Sequence, residues 1–183
     1  MAKTNLSGAA YVTRGYGQVE PNHLSAQRTA QIYAQLPAQK DIEKLENGQY
    51  VKYDYANNCV NFTGEGEWML VFNEVKVYRD RETYEDFAML KENYIGTVLS
   101  ALPTYAEDDT QVMTPRVFKT NVGDIYTTNC VNETELAIGD KLTPGADGFL
   151  AKAGADAADM VWNVVKIYTL ADNQKAVKLQ RIK

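Results

Sequence analysis

The stretch MLVFNEVKVY, Met69 to Tyr78, returns as DMVWNVVKIY, Asp159 to Tyr168, with Phe72 aligned to Trp162. Asn73/Asn163, Val75/Val165, Lys76/Lys166, Val77/Ile167 and Tyr78/Tyr168 fall at equivalent places, and the β-branched and aromatic content of both copies favours a strand. Along each copy one parity carries Val, Asn, Val and Val/Ile, and the other carries Phe/Trp, Glu/Val, Lys and Tyr. Both parities are partly apolar, so each copy reads as a strand packed on both faces rather than as a half-solvated edge.

The flanking sequence extends the repeat. DFAML, ending at Leu90, and AVKLQ, ending at Gln180, lie at the same offset after a polar connection, as equivalent partner strands would. Upstream, LENGQYVKYDY (Leu45 to Tyr55) and AIGDKLTPGADGFL (Ala137 to Leu150) each place a Gly turn before a short strand. Self-similarity at a fixed period is the mark of repeated structural units, here two related β-modules.

The remaining segments sort around these modules. Residues 1–41 read as an extended N-terminal arm plus one short helix: Gly, Ala, Ser, Thr and Asn dominate as far as about residue 24, with Tyr11 and Tyr16 isolated among them. Such a segment either docks on another surface through its aromatics or stays a solvated tail. Ser25 then caps a weakly amphipathic stripe of Ala26, Ala30, Ile32, Tyr33 and Leu36 that stops before Pro37. Residues 42–90 form the first β-module, 91–115 a surface linker holding the acidic Glu107, Asp108 and Asp109, and 116–183 the second module. Gly123-Asp124, Gly139-Asp140 and the loop from Pro144 to Gly148 mark turns, and the Ala-rich KAGADAADM reads as a turn entering the repeated strand.

Composition narrows the function. Twelve tyrosines against five phenylalanines suit interfaces, where one end of the ring stays wet. A net charge of −5 argues against nucleic acid, which needs a concentrated positive surface. No apolar run approaches the ~20 residues of a membrane span, and the first residues lack the apolar block of a signal peptide, so no membrane partner is expected and synthesis is expected in the cytoplasm. In that compartment Cys59 and Cys130, each in an NCVN tetrapeptide, read as small buried hydrophobes.

Catalytic and metal chemistry find little footing. The single histidine, His23, sits in the arm, where a general base is poorly positioned. Structural zinc needs four Cys or His ligands, and the sequence holds three. Asp54, Glu65, Glu67 and Glu74 near Trp68 imitate a glycosidase pair or a calcium site, yet Glu74 is Val164 in the second copy and the plainer reading is a solvated β surface. The expectation is a chain that is not an enzyme and has no catalytic residue, cofactor or metal.

The run IGDKLTPGADGFLAKAG, with MVWNVVKIYTL and AVKLQRI after it, resembles the small β-barrel modules of tailed-bacteriophage capsid decoration proteins, also called cement or head-stabilising proteins. The shared pattern is a Gly-Asp turn into a strand, a loop, an apolar strand leading to small residues, and a strand carrying the module's core. It covers residues 121–183 well, the first module loosely and the arm hardly at all; Asp159-Met160 stands where the family segment often has Gly. The resemblance implies a mainly β fold of two small barrel or sandwich modules, a virion location on the capsid surface, and the major capsid protein and a second copy of the chain as partners. The arm residues Tyr11, Arg14, Tyr16 and His23 are the expected capsid contacts. The alternative is a carbohydrate-binding β-domain of a phage fibre or cell-wall-associated protein, with Tyr53, Tyr55, Trp68 and Trp162 as stacking platforms.

Overall fold

The computed structural model describes residues 17–73, 88–91, 113–154, 159–170 and 174–183. Within them the chain is mainly β, with one short helix: β1 (Val19–His23), α1 (Ala26–Thr29), β2 (Ile32–Tyr33), β3 (Lys44–Glu46), β4 (Tyr50–Asp54), β5 (Cys59–Asn61), β6 (Trp68–Val71), β7 (Ala88–Leu90), β8 (Val117–Phe118), β9 (Ile125–Thr128), β10 (Lys141–Pro144), β11 (Leu150–Lys152), β12 (Trp162–Thr169) and β13 (Lys175–Arg181). No helix among the described residues is long and apolar enough to cross a membrane.

The strands form a six-stranded sheet, β1-β9-β13-β12-β10-β11, a five-stranded sheet, β2-β8-β6-β4-β5, and the pair β3-β7. All ladders are antiparallel. The expected turns sit at the strand ends: Gly123 (φ 96°) and Gly139 (φ 97°) take the left-handed backbone that an L side chain resists. Asp54 closes the β4–β5 turn by accepting the Asn57 backbone N–H at 3.0 Å, and Asn61 Oδ1 accepts the N–H of Gly64 at 2.7 Å.

Side-chain alternation on the five-stranded sheet makes it the middle of three layers. Tyr50, Leu70 and Phe118 face the six-stranded sheet and join Leu142, Leu150, Trp162, Val164 and Leu179 in one core. Val51, Tyr53, Met69, Val71 and Val117 face the other way, into a second core completed by Ile42, Leu45, Met89 and Met113. β6 is therefore packed on both faces, as its sequence implies, while residues 74–78 of the first copy lie outside the described residues. The later copy is not: Trp162 and Val164 are buried, whereas Lys166 and Ile167 are exposed beyond a bulge between Val164 and Lys166.

Several expectations give way to longer-range pairing. The barrels are not formed: the sheets are open, and where closure would need a run of ladder bonds each has a single parallel bridge, Ala38 to Val60 and Val131 to Leu150. β13 pairs with β12, but its supposed counterpart β7 pairs with β3, through Leu45 and Met89, and not with β6. β8 lies between β6 and β2, so the start of the second module at residue 116 does not coincide with a sheet boundary. The stripe from Ala26 to Leu36 does not stay helical. Ala30 turns left-handed at φ 56°, and Ile32 and Tyr33 give their backbone to Phe118 and Val117.

Residues 92–112 of the expected linker, with Glu107, Asp108 and Asp109, lie outside the described residues, while Met113 is buried in the second core. Residues 155–158 of KAGADAADM also lie outside them. Neither Cys59, partly exposed, nor Cys130, buried, is in a disulfide.

Candidate functional site

The N-terminal segment enters the body as the edge strand of the six-stranded sheet, Val19 opposite Thr128 and Glu20 opposite Thr127. Polar side chains reaching from three elements hold its root. The Gly17 N–H donates to Glu46 Oε2 at 3.0 Å in a buried setting, and Glu46 also pairs with Lys44 at 3.1 Å. The Gln18 N–H donates to Asn129 Oδ1 at 2.7 Å, and Asn129 in turn donates to Gln174 at 2.8 Å. Gly17 is required by space: a Cβ there would stand 2.2 Å from the Asn47 carbonyl oxygen.

Further along, Thr127 donates to Asn22 at 2.7 Å, and the Tyr168 hydroxyl donates to the Glu20 carboxylate. Burial, then that contact, pushes the Tyr168 hydroxyl's pKa up. At the far end Ser25 gives both its N–H and its hydroxyl to Asp124, each at 3.0 Å. The hydroxyl expected to cap α1 is thus used to pin the strand-to-helix corner onto the β8–β9 turn. Asn121 completes this corner by donating to Ser25 Oγ at 2.7 Å.

Of the expected contact residues, His23 ends β1 and is exposed. Tyr11, Arg14 and Tyr16 lie outside the described residues. Glu46 and Asn129 were not singled out from sequence, and Asp124 was read only as part of a turn, because the segment each of them anchors lies far away in the chain.

The carboxylates near Trp68 do not converge. Asp54 is held by Asn57 and Asn61, whose hydrogen bonds keep its carboxyl below the usual range. Glu67 pairs with Lys119 at 2.8 Å, Glu65 is exposed, and Glu74 lies outside the described residues. Among the described residues no three His, Cys, Asp or Glu side chains are grouped to hold a metal ion.

Of the four aromatic rings proposed as sugar platforms, Trp162 (0% exposed) and Tyr53 (2%) are core residues. Trp68 is half-buried with Lys52 over its ring at 4.9 Å, which leaves Tyr55, 69% exposed. An open cleft of about 510 Å³ lies at the end of the first core, lined by Leu136, Asp140, Lys152, Ile167 and Lys175. Its Asp140 carboxyl, kept below the usual range by the Ala137 N–H and Lys152, is already satisfied.

No family model, no curated protein and no solved structure matches this chain.

Proposed function

We propose that the chain is a non-catalytic structural virion protein of the capsid-decoration kind, which binds an assembled phage head through its N-terminal arm and stabilises it. The observation that carries this reading is the root at Gly17. Residues 1–16 depart from a point fixed to Glu46, Asn129 and the edge of a six-stranded sheet, so tension on the arm would pass directly into the body. Ordering an arm costs about 1–2 kcal/mol per fixed backbone residue, and a firm root limits that cost to the arm itself. Tyr11, Arg14, Tyr16 and His23 are assigned to contacts with the major capsid protein.

The same reading takes the body as two copies of one five-stranded unit. In chain order β2, β4, β5, β6 and β8 correspond to β9, β10, β11, β12 and β13, and the two sets share one spatial order. Register supports the match. The row Tyr33–Val117–Val71 parallels Tyr126–Leu179–Val164, Val51–Met69 parallels Leu142–Trp162, and the bridges Ala38–Val60 and Val131–Leu150 coincide. On this register Trp162 answers to Met69 and not to Phe72. Two such units side by side give a stiff scaffold from which an arm can reach a neighbouring subunit.

The test is co-sedimentation of the purified protein with heads that lack it, comparing the full chain with a version beginning at Gly17, which keeps β1. Saturable binding that falls sharply on truncation is expected. No binding by the folded full chain would overturn the proposal. The carbohydrate reading has less behind it, since burial of Trp162 and Tyr53 removes two of its platforms.

A further inference from the structure

Corresponding faces of the two larger sheets carry opposite chemistry at matching positions. In the five-stranded sheet the row Tyr50–Leu70–Phe118 is apolar and buried against the six-stranded sheet. The corresponding row of the six-stranded sheet is Lys141–Asn163–Gln180, none of it in either core. On the same face Lys166 and Lys178 stand directly opposite one another across the β12–β13 ladder, beside the bulge. Their ammonium groups lie 5.8 and 6.0 Å from the centroid of the Tyr168 ring.

Like charges directly opposite on an antiparallel ladder destabilise it, and a bound carboxylate would relieve the repulsion that the Tyr168 ring offsets only in part. Lys44, Lys91, Lys119 and Lys152 each pair with a carboxylate. Lys141, Lys166 and Lys178 have no carboxylate partner among the described residues, as Lys52, Lys175 and Lys183 have none, but those first three share one sheet face; Lys141 donates to Asn163. The acidic group bordering the patch is Glu20, which accepts from Tyr168. In a chain with 24 acidic and 19 basic residues, this local excess of cations is not a consequence of composition.

We propose that this face, built on Lys141, Lys166, Lys178 and Tyr168, docks a carboxylate-rich patch of another protein. Ammonium groups spaced on a flat sheet match discrete carboxylates, and Tyr168 supplies the amphipathic ring that interfaces favour. Nucleic acid needs a more concentrated positive surface than three lysines on one face of a chain of net charge −5 provide. The docking surface is distinct from residues 1–16, although the Tyr168 hydroxyl joins it to Glu20 of β1.

The full chain, K166Q/K178Q and a control of equal charge change, K119Q/K152Q, are to be passed over immobilised poly-L-glutamate and over immobilised duplex DNA at low and at moderate salt. Wild type and control should bind poly-L-glutamate and be released by salt, and K166Q/K178Q should bind about tenfold more weakly. Its thermal midpoint should equal or exceed that of wild type, because a repulsive pair has been removed. Undiminished binding by K166Q/K178Q, an equal loss in the control, no binding by wild type, or tighter binding to DNA would each overturn the proposal.

Discussion

The Tyr50 hydroxyl donates to the Tyr126 hydroxyl across 3.0 Å, joining β4 of the middle sheet to β9 of the six-stranded sheet inside the first core. Trp162 closes over the pair, its ring 6.2 Å from that of Tyr50 and 4.8 Å from that of Tyr126. Burial pushes both hydroxyls above the ordinary tyrosine pKa of 10.0, and for Tyr50 the neighbouring Tyr126 adds to the rise.

The pair makes stability sensitive to alkali. A folded-state pKa above the unfolded value means the neutral hydroxyls contribute stability that is fully present below pH 10.0 and is lost as pH rises beyond it. Urea midpoints should stay level through neutral pH and fall above that value. Tyr126→Phe should cost about 1 kcal/mol at neutral pH and make the alkaline fall shallower. A midpoint that declines no faster above pH 10 in wild type than in Tyr126→Phe would refute the assignment.

β6 contributes Leu70 to one core and Met69 and Val71 to the other, so the two cores should unfold together. Leu70→Ala and Val71→Ala should each lower the same single transition, the former by roughly 2–5 kcal/mol. Calorimetry that resolves two separate transitions in either variant would show the cores to be independent.

Gly17→Ala forces a methyl against the Asn47 carbonyl, 2.2 Å from the position it would take. Overpacking of this kind costs about 1–3 kcal/mol, and the strain is expected to appear locally, as faster protease cleavage between residues 17 and 23 with the rest of the chain intact. Cleavage at the wild-type rate would show that the root is not fixed at Gly17.

The two thiols differ in access. Cys59 is partly exposed, though burial and the nearby Asp54 raise its pKa, while Cys130 is buried. A thiol reagent should label Cys59 slowly at neutral pH and faster as pH rises, and should reach Cys130 only on unfolding. Mass spectrometry of the labelled native protein, digested after quenching, distinguishes the sites.

Much of the local structure was legible in the sequence. Strand propensity and apolar alternation place β4, β6, β12 and β13, and Gly123 and Gly139 mark turns whose backbone needs a residue without a Cβ. The candidate site was less legible, because Glu46, Asn129 and Asp124 matter only through Gly17, Gln18 and Ser25, which are distant in the chain.

The repeat itself shows where the division falls. That the repeated stretch would hold strands was set by its residues, as β6 and β12 show within the described residues, since β-branched and aromatic side chains fit a pleated, buried surface wherever it forms. Which ladder each strand joins depended on the tertiary structure. β8 completes the middle sheet, β7 turns away to β3, and Trp162 stands in register with Leu142 as Met69 does with Val51. A strand's faces are set by its own alternation, but its partners are set by which distant side chains share its buried layer, and a slip of one residue exchanges every face.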